Sequence, residues 1–72
     1  MQQKIIDALM AKYQAQKLEA VANLQNYLSN PAGIGEHPNI VKECHKLVKK
    51  IAEAEELAKT VNMIIQTRQP NE

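Results

Sequence analysis

The fold is decided by one interruption of helical periodicity, the stretch Ser29-Asn30-Pro31-Ala32-Gly33-Ile34-Gly35-Glu36-His37-Pro38. Two of the three prolines and both glycines of the 72-residue chain lie within it. Proline lacks a backbone donor and restricts the residue before it, whereas glycine tolerates the positive φ that a reversing loop requires. The sequence therefore predicts a loop over about 29–37 that joins two helices.

On the N-terminal side of this loop, apolar residues recur at alternating spacings of four and three. The spacing predicts a helix over about 2–28 with one stripe facing a neighbour. The stripe consists of Ile6, Met10, Tyr13, Lys17, Ala20, Leu24 and Tyr27. Lys17 is its polar exception. Either it fixes the register of packing or, as we favour, its aliphatic stem packs while its ammonium reaches water.

The C-terminal arm carries a longer series with the same alternating spacings and no interruption. It predicts a helix over about 38–67, with Pro38 at the first helical position, where a missing donor is tolerated. A sustained seven-residue repeat also implies a left-handed supercoil. The series, which together with the first we call the seam series, is Ile40, Cys44, Leu47, Ile51, Ala54, Ala58, Val61 and Ile65.

These patterns predict one all-α domain over residues 1–72, a coiled-coil-like antiparallel hairpin of two helices. No segment alternates with the period of two that a strand requires. Each arm is expected to be about 40 Å long at 1.5 Å per residue. If residues are counted outward from the loop on both arms, Ala20 lies level with Leu47 and Lys17 with Ile51. This predicted register between the helices can slip, because the loop is long.

Both arms carry more apolar residues than a two-helix seam can cover. Seven of them flank the seam series and form the predicted oligomer interface: Leu9, Val21, Leu28, Val41, Val48, Leu57 and Ile64. A widened stripe is typical of helices with two or more neighbours. The sequence therefore predicts a homodimer with two-fold symmetry that forms a four-helix bundle. The alternative is a protein partner that supplies the missing helices.

A further row on the far side of the first helix consists of Ala8, Ala11, Ala15, Leu18 and Ala22. Alanine favours helix formation by itself, which is the simpler interpretation of this row. The functional interpretation is close helix packing in an assembly, with Leu18 as the anchor.

The charge pattern gives weak support to an anionic partner. Nine Lys and Arg residues against eight Asp and Glu residues leave a formal net charge of +1. Lys42, Lys46 and Lys49 share one face that can contact phosphate groups, which gives the alternative of a small nucleic-acid-binding regulator. Glutamates follow at once, and interleaved aromatic residues for base stacking are lacking. A solvated face is therefore the simpler interpretation.

The residues that resemble a metal or catalytic set are Glu36, His37, Cys44 and His45. No standard zinc spacing fits them, and neighbours such as Cys44 and His45 point about 100° apart on a helix. No pocket or orienting group is evident for a Cys-His nucleophile. We therefore expect no enzyme, no metal and no cofactor.

Three features bear on the compartment. The N-terminal residues show no apolar block followed by a small-residue cleavage site. No apolar run approaches the ~18 residues that a membrane helix needs. The single cysteine cannot form an intrachain disulfide, which favours a reducing interior. A cytoplasmic protein without a membrane segment is expected.

The connector Asn30-Pro31-Ala32-Gly33-Ile34-Gly35-Glu36-His37-Pro38, with flanks from Tyr27 to Val41, resembles small uncharacterised proteins of tailed phages of marine bacteria. In those proteins a similar Asn-Pro-x-Gly-Ile-Gly-Glu-His-Pro segment joins two helices. The resemblance implies a viral protein acting in the host cytoplasm, with no known activity and no functional residues to carry over. The two-helix layout is also similar to plasmid copy-control RNA-binding hairpin dimers, in architecture alone.

The function that the sequence best supports is a non-enzymatic interaction or structural module that self-associates through its heptad faces. A small nucleic-acid-binding regulator is the alternative.

Overall fold

A computed structural model describes residues 2–30 and 39–68. These residues form two helices, α1 over Gln2–Ser29 and α2 over Ile40–Arg68, which pack against each other as the arms of a hairpin. The all-helical hairpin that the sequence predicts is thus confirmed. The expectations for Glu36 and His37 fall outside the described residues.

Helix α1 ends at Ser29, one residue later than predicted. The Ser29 hydroxyl donates a hydrogen bond of 2.7 Å to the carbonyl of Gln25. The amide of Asn30 donates one of 3.0 Å to the carbonyl of Asn26. The next residue is Pro31, which has no amide donor with which to continue this series. The end of α1 is therefore encoded locally.

Helix α2 begins at Ile40, two residues after the predicted start at Pro38. Asn39 caps it, since its side-chain oxygen accepts a hydrogen bond of 3.2 Å from the amide of Lys42. Asparagine is a preferred N-cap because its side chain satisfies an amide that the first turn leaves without a helical partner. The cap explains the correction, because the residue that caps a helix lies just outside it.

Replacing Asn39 with alanine is expected to lower the free energy of unfolding by about 1 kcal/mol, the usual cost of a lost N-cap. Urea unfolding followed by far-UV circular dichroism measures it. Asn62→Ala is the matched control, since Asn62 is exposed in the interior of α2. There alanine is expected to raise stability by a few tenths of a kcal/mol through helix propensity. Equal effects at both positions would contradict the capping role.

The packed side of each helix is the one that periodicity predicts. Every member of the seam series is buried or half-buried. Among the described residues, the buried ones are Ala20, Ala54 and Val61, at 2%, 3% and 9% exposure. No large side chain in the described part of the chain is fully buried. The two helices alone therefore form a thin core.

Contacts between the arms place the register about one helical turn from the counted pairing. Lys17 Nζ lies 3.0 Å from Glu55 Oε2, and Glu55 is four residues beyond the counted partner Ile51. A groove between the arms is lined by residues within 16–23 on α1 and within 47–57 on α2. Their midpoints lie near residues 20 and 52, whereas the counted register paired Ala20 with Leu47. The observed register therefore differs from the predicted one by about one helical turn. Each α1 residue lies level with an α2 residue about four positions later in the chain than predicted.

This correction has a steric reason. Successive seam residues point alternately toward the two faces of the hairpin. Ala20, Leu47 and Ala54 line the groove on one face, whereas Lys17 contacts Glu55 on the other face. Pairing Ala20 with Leu47 at one level would put both side chains on the groove side and leave the other side unfilled. A shift of one turn pairs residues that lean in opposite directions, and close packing prefers this arrangement.

Candidate association interface

The groove between the arms defines one face of the hairpin, which we call the groove face. Its volume is about 320 Å³, and the buried side chains of Ala20 and Ala54 line it. Polar and charged residues line it as well: Gln16, Glu19, Asn23, Lys50 and Glu53. A polar, open trough differs from the enclosed apolar pocket that small-molecule sites use.

The opposite side of the hairpin carries the Lys17–Glu55 ion pair, and we call it the ion-pair face. Lys17 is half-buried, with its side chain 38% exposed, and its Nζ reaches Glu55 Oε2 at 3.0 Å. The stem thus packs in the seam while the charge lies at the surface. This geometry supports the favoured interpretation of Lys17, a residue whose charge is kept near water.

Replacing Lys17 with methionine is expected to leave the free energy of unfolding unchanged or to raise it by up to about 1 kcal/mol. An exposed ion pair contributes about 0–1 kcal/mol, and methionine gains apolar packing in the seam. Glu55→Gln, which removes the pair without adding packing, is the control. It is expected to lower stability by less than about 1 kcal/mol. Thermal and urea unfolding measure both, and a loss above about 2 kcal/mol for Lys17→Met would contradict this weak role.

One apolar cluster lies on the ion-pair face, in the half of the hairpin nearest the connector. Val48 and Val41 precede Glu55 by seven and fourteen residues, so they share its side of α2. Val21 follows Lys17 by one turn on α1 and has the same orientation. We call this cluster the loop-half patch, and its members are Leu18, Val21, Leu28, Val41 and Val48. Apart from half-buried Val21, its members are 50–79% exposed.

A second apolar cluster lies on the groove face, near the free ends of the helices. Leu57 lines the groove, and Ile64 follows it by seven residues on the same side of α2. On α1, Leu9 precedes the groove residue Gln16 by seven, and Ile5 precedes Leu9 by one turn. We call this cluster the free-end patch, and its members are Ile5, Leu9, Leu57 and Ile64. Apart from half-buried Leu9, its members are 43–58% exposed.

The structure therefore divides the seven predicted interface residues between two opposite faces. Val21, Leu28, Val41 and Val48 belong to the loop-half patch, whereas Leu9, Leu57 and Ile64 belong to the free-end patch. Sequence reasoning missed Ile5, although its spacing of four from Leu9 could have identified it. It also assigned Leu18 to the alanine row alone. Met63, 56% exposed, lies on the outer side of α2, outside both patches.

The predicted basic face lies on the outer side of α2. Lys42, Lys46 and Lys49 are all exposed there. Lys46 Nζ is 3.5 Å from Glu43 Oε2, one turn earlier on the helix. This contact reduces the charge that the face offers to an anion. It leaves the nucleic-acid alternative with a smaller electrostatic basis than three unpaired lysines would provide.

Of the four residues considered for chemistry, the structure describes Cys44 and His45. Cys44 is half-buried in the seam, whereas His45 is exposed. In residues 2–30 and 39–68, no group of three or more His, Cys, Asp or Glu side chains is arranged to hold a metal ion. Neither α1 nor α2 combines the length and apolarity needed to cross a bilayer.

Comparisons with protein-family models, with curated proteins and with solved structures find no match to this chain.

Proposed function

We propose that this protein is a non-enzymatic interaction or structural module that works as a cytoplasmic homodimer. In it, two hairpins form a four-helix bundle with two-fold symmetry. The supporting observation is a thin core beside well-exposed large apolar residues. Val41 is 79% exposed and Leu28 is 67% exposed, while the best-buried core residues are two alanines and a valine. Water contact at such residues is unfavourable, and burial against a second hairpin removes it.

The loop-half patch is the proposed dimer interface because it has the larger number of well-exposed apolar residues. A two-fold axis parallel to the helices relates two hairpins whose connectors lie at the same end of the dimer. In this arrangement the loop-half patch of one hairpin faces the same patch of its partner. The four helices then overlap over their whole length. If the connectors lay at opposite ends instead, contact between the two loop-half patches would overlap only half of each hairpin. We therefore propose a dimer with both connectors at one end.

Analytical ultracentrifugation and light scattering over a dilution series test the proposal, with helix content followed in parallel. The expected species at micromolar concentration is a dimer, and helix content should fall as the dimer dissociates. A monomer that stays fully helical at micromolar concentration would refute self-association. It would favour instead a protein partner that supplies the missing helices.

A nucleic-acid-binding role remains the second proposal, and it rests on the exposure of Lys42, Lys46 and Lys49. A dimer joined through the loop-half patch would leave both copies of this face uncovered. Retention on nucleic acid at low salt should then fall when all three lysines are replaced by alanine, and it should weaken steeply with added salt. Unchanged retention would remove this proposal.

A further inference from the structure

We infer that protonation of His45 weakens the dimer, so that association through the loop-half patch depends on pH. The inference rests on the proposed dimer and concerns the regulation of the same surface. His45 follows Val41 by four residues and precedes Val48 by three, so the three side chains share one side of α2. All three are exposed in the hairpin. A contact that buries the two valines therefore also covers the imidazole between them.

The surroundings of His45 on this half of the ion-pair face are apolar or uncharged. Gln25 and Ala52 each lie four residues beyond a valine of the loop-half patch, so they share its face. Neither of them ionises, and the members of the patch are all aliphatic. Within the described part of this surface, His45 is therefore the side chain whose charge changes between about pH 5 and pH 8.

The register indicates what His45 meets in the proposed dimer. The Lys17–Glu55 contact places these two residues at one level of the hairpin. Ten residues toward the connector on each arm, His45 is level with Tyr27. A two-fold axis parallel to the helices places the partner's α1 opposite α2 at the same height. Residues 20–29 of α1 contain no acidic or basic side chain, so this segment offers no carboxylate to a protonated imidazole.

The other titratable groups around His45 do not compensate its charge. Tyr27 and Cys44 are half-buried in the seam, and phenols and thiols are largely uncharged from about pH 5.5 to 7.5. The charged neighbours on the same helix are Lys42, Glu43, Lys46 and Lys49. Three of these are cations, and the carboxylate of Glu43 lies 3.5 Å from Lys46 Nζ. A proton on His45 therefore adds a positive charge to neutral or positive surroundings, and covering that charge is costly.

Sedimentation of the full chain at about pH 7.5 and about pH 5.5 tests this inference, with helix content followed in parallel. A histidine of ordinary pKa is about nine-tenths protonated at pH 5.5, and each dimer covers two copies of His45. Because the covered site favours the neutral imidazole, affinity is full at the higher pH and is lost as the pH falls. The dissociation constant of the wild-type dimer should rise by about tenfold to a hundredfold between the two conditions.

Two variants locate the responsible group. His45→Gln keeps an uncharged polar side chain at an exposed position, so it should fold and dimerise like the wild type at the higher pH. It should lose most of the change in affinity at the lower pH. His37→Gln removes the other histidine of the chain and is the matched control, which should respond to pH like the wild type.

The outcomes separate this inference from the proposed function. A wild-type dimer with the same dissociation constant in both conditions would overturn the role of His45 and leave the dimer intact. A pH dependence that His45→Gln retains, or that His37→Gln removes, would overturn it as well, because another group would then be responsible. A wild type that is monomeric in both conditions would instead refute the dimer and this inference together.

Discussion

Replacing Ala20 with aspartate is expected to abolish most of the cooperative folding of the hairpin. Ala20 is 2% exposed in the seam, so a carboxylate attached there loses most of its contact with water. An uncompensated buried charge costs about 3–5 kcal/mol. A domain of this length has a total stability of about 4–11 kcal/mol at the usual value per residue. The substitution therefore consumes a large part of the available stability.

Ala22→Asp is the matched control, because Ala22 lies two residues away on the same helix and is exposed. It makes the same chemical change and has the same propensity cost, which is below about 1 kcal/mol. Urea unfolding at one fixed protein concentration compares the two, since association changes apparent stability. Similar losses at both positions would mean that Ala20 is not buried in the seam in solution.

The packed side of each helix was predictable because it depends only on local periodicity. The spacings of four and three hold for seven residues on α1 and for eight on α2, and every one of them is buried or half-buried. Even Lys17, the polar member, occupies its predicted place. A regular helix converts sequence spacing directly into direction, so no long-range information was required.

The register was not predictable in the same way. If one helix shifts by one turn along the other, every seam residue moves to the level of the next seam residue on the opposite helix. Apolar side chains therefore face apolar side chains in both registers. Counting from the connector could not choose between them, because a long loop tolerates either. The choice depends on which face each side chain leans toward. The contact between Lys17 and Glu55 reveals it.

The division of the flanking residues into two patches was present in the sequence but was not recognised. Val21, Leu28, Val41 and Val48 each follow a seam residue by one position, whereas Leu9, Leu57 and Ile64 each precede one. On a helix these two relations point to opposite sides of the seam. The seven predicted interface residues therefore flank the seam on both of its sides.

If the proposed dimer forms through the loop-half patch, replacing Val41 and Val48 together with lysine is expected to convert it to a monomer at micromolar concentration. Both side chains are at least half exposed in the hairpin, so the change removes little from its own core. Burial of a valine contributes about 1.5 kcal/mol or more, so two of them contribute about 3 kcal/mol for each hairpin. That corresponds to a weakening of dimer affinity by at least about a hundredfold.

Met63→Lys serves as the control, because it also introduces a lysine at an exposed apolar residue but outside both patches. Its mass at micromolar concentration should equal that of the wild type. The double variant should also lose helix content on dilution earlier than the control, because in the proposed dimer a hairpin with so thin a core is stabilised by its partner. If the double variant keeps the mass of a dimer while Leu57→Lys with Ile64→Lys becomes monomeric, the dimer forms through the free-end patch instead.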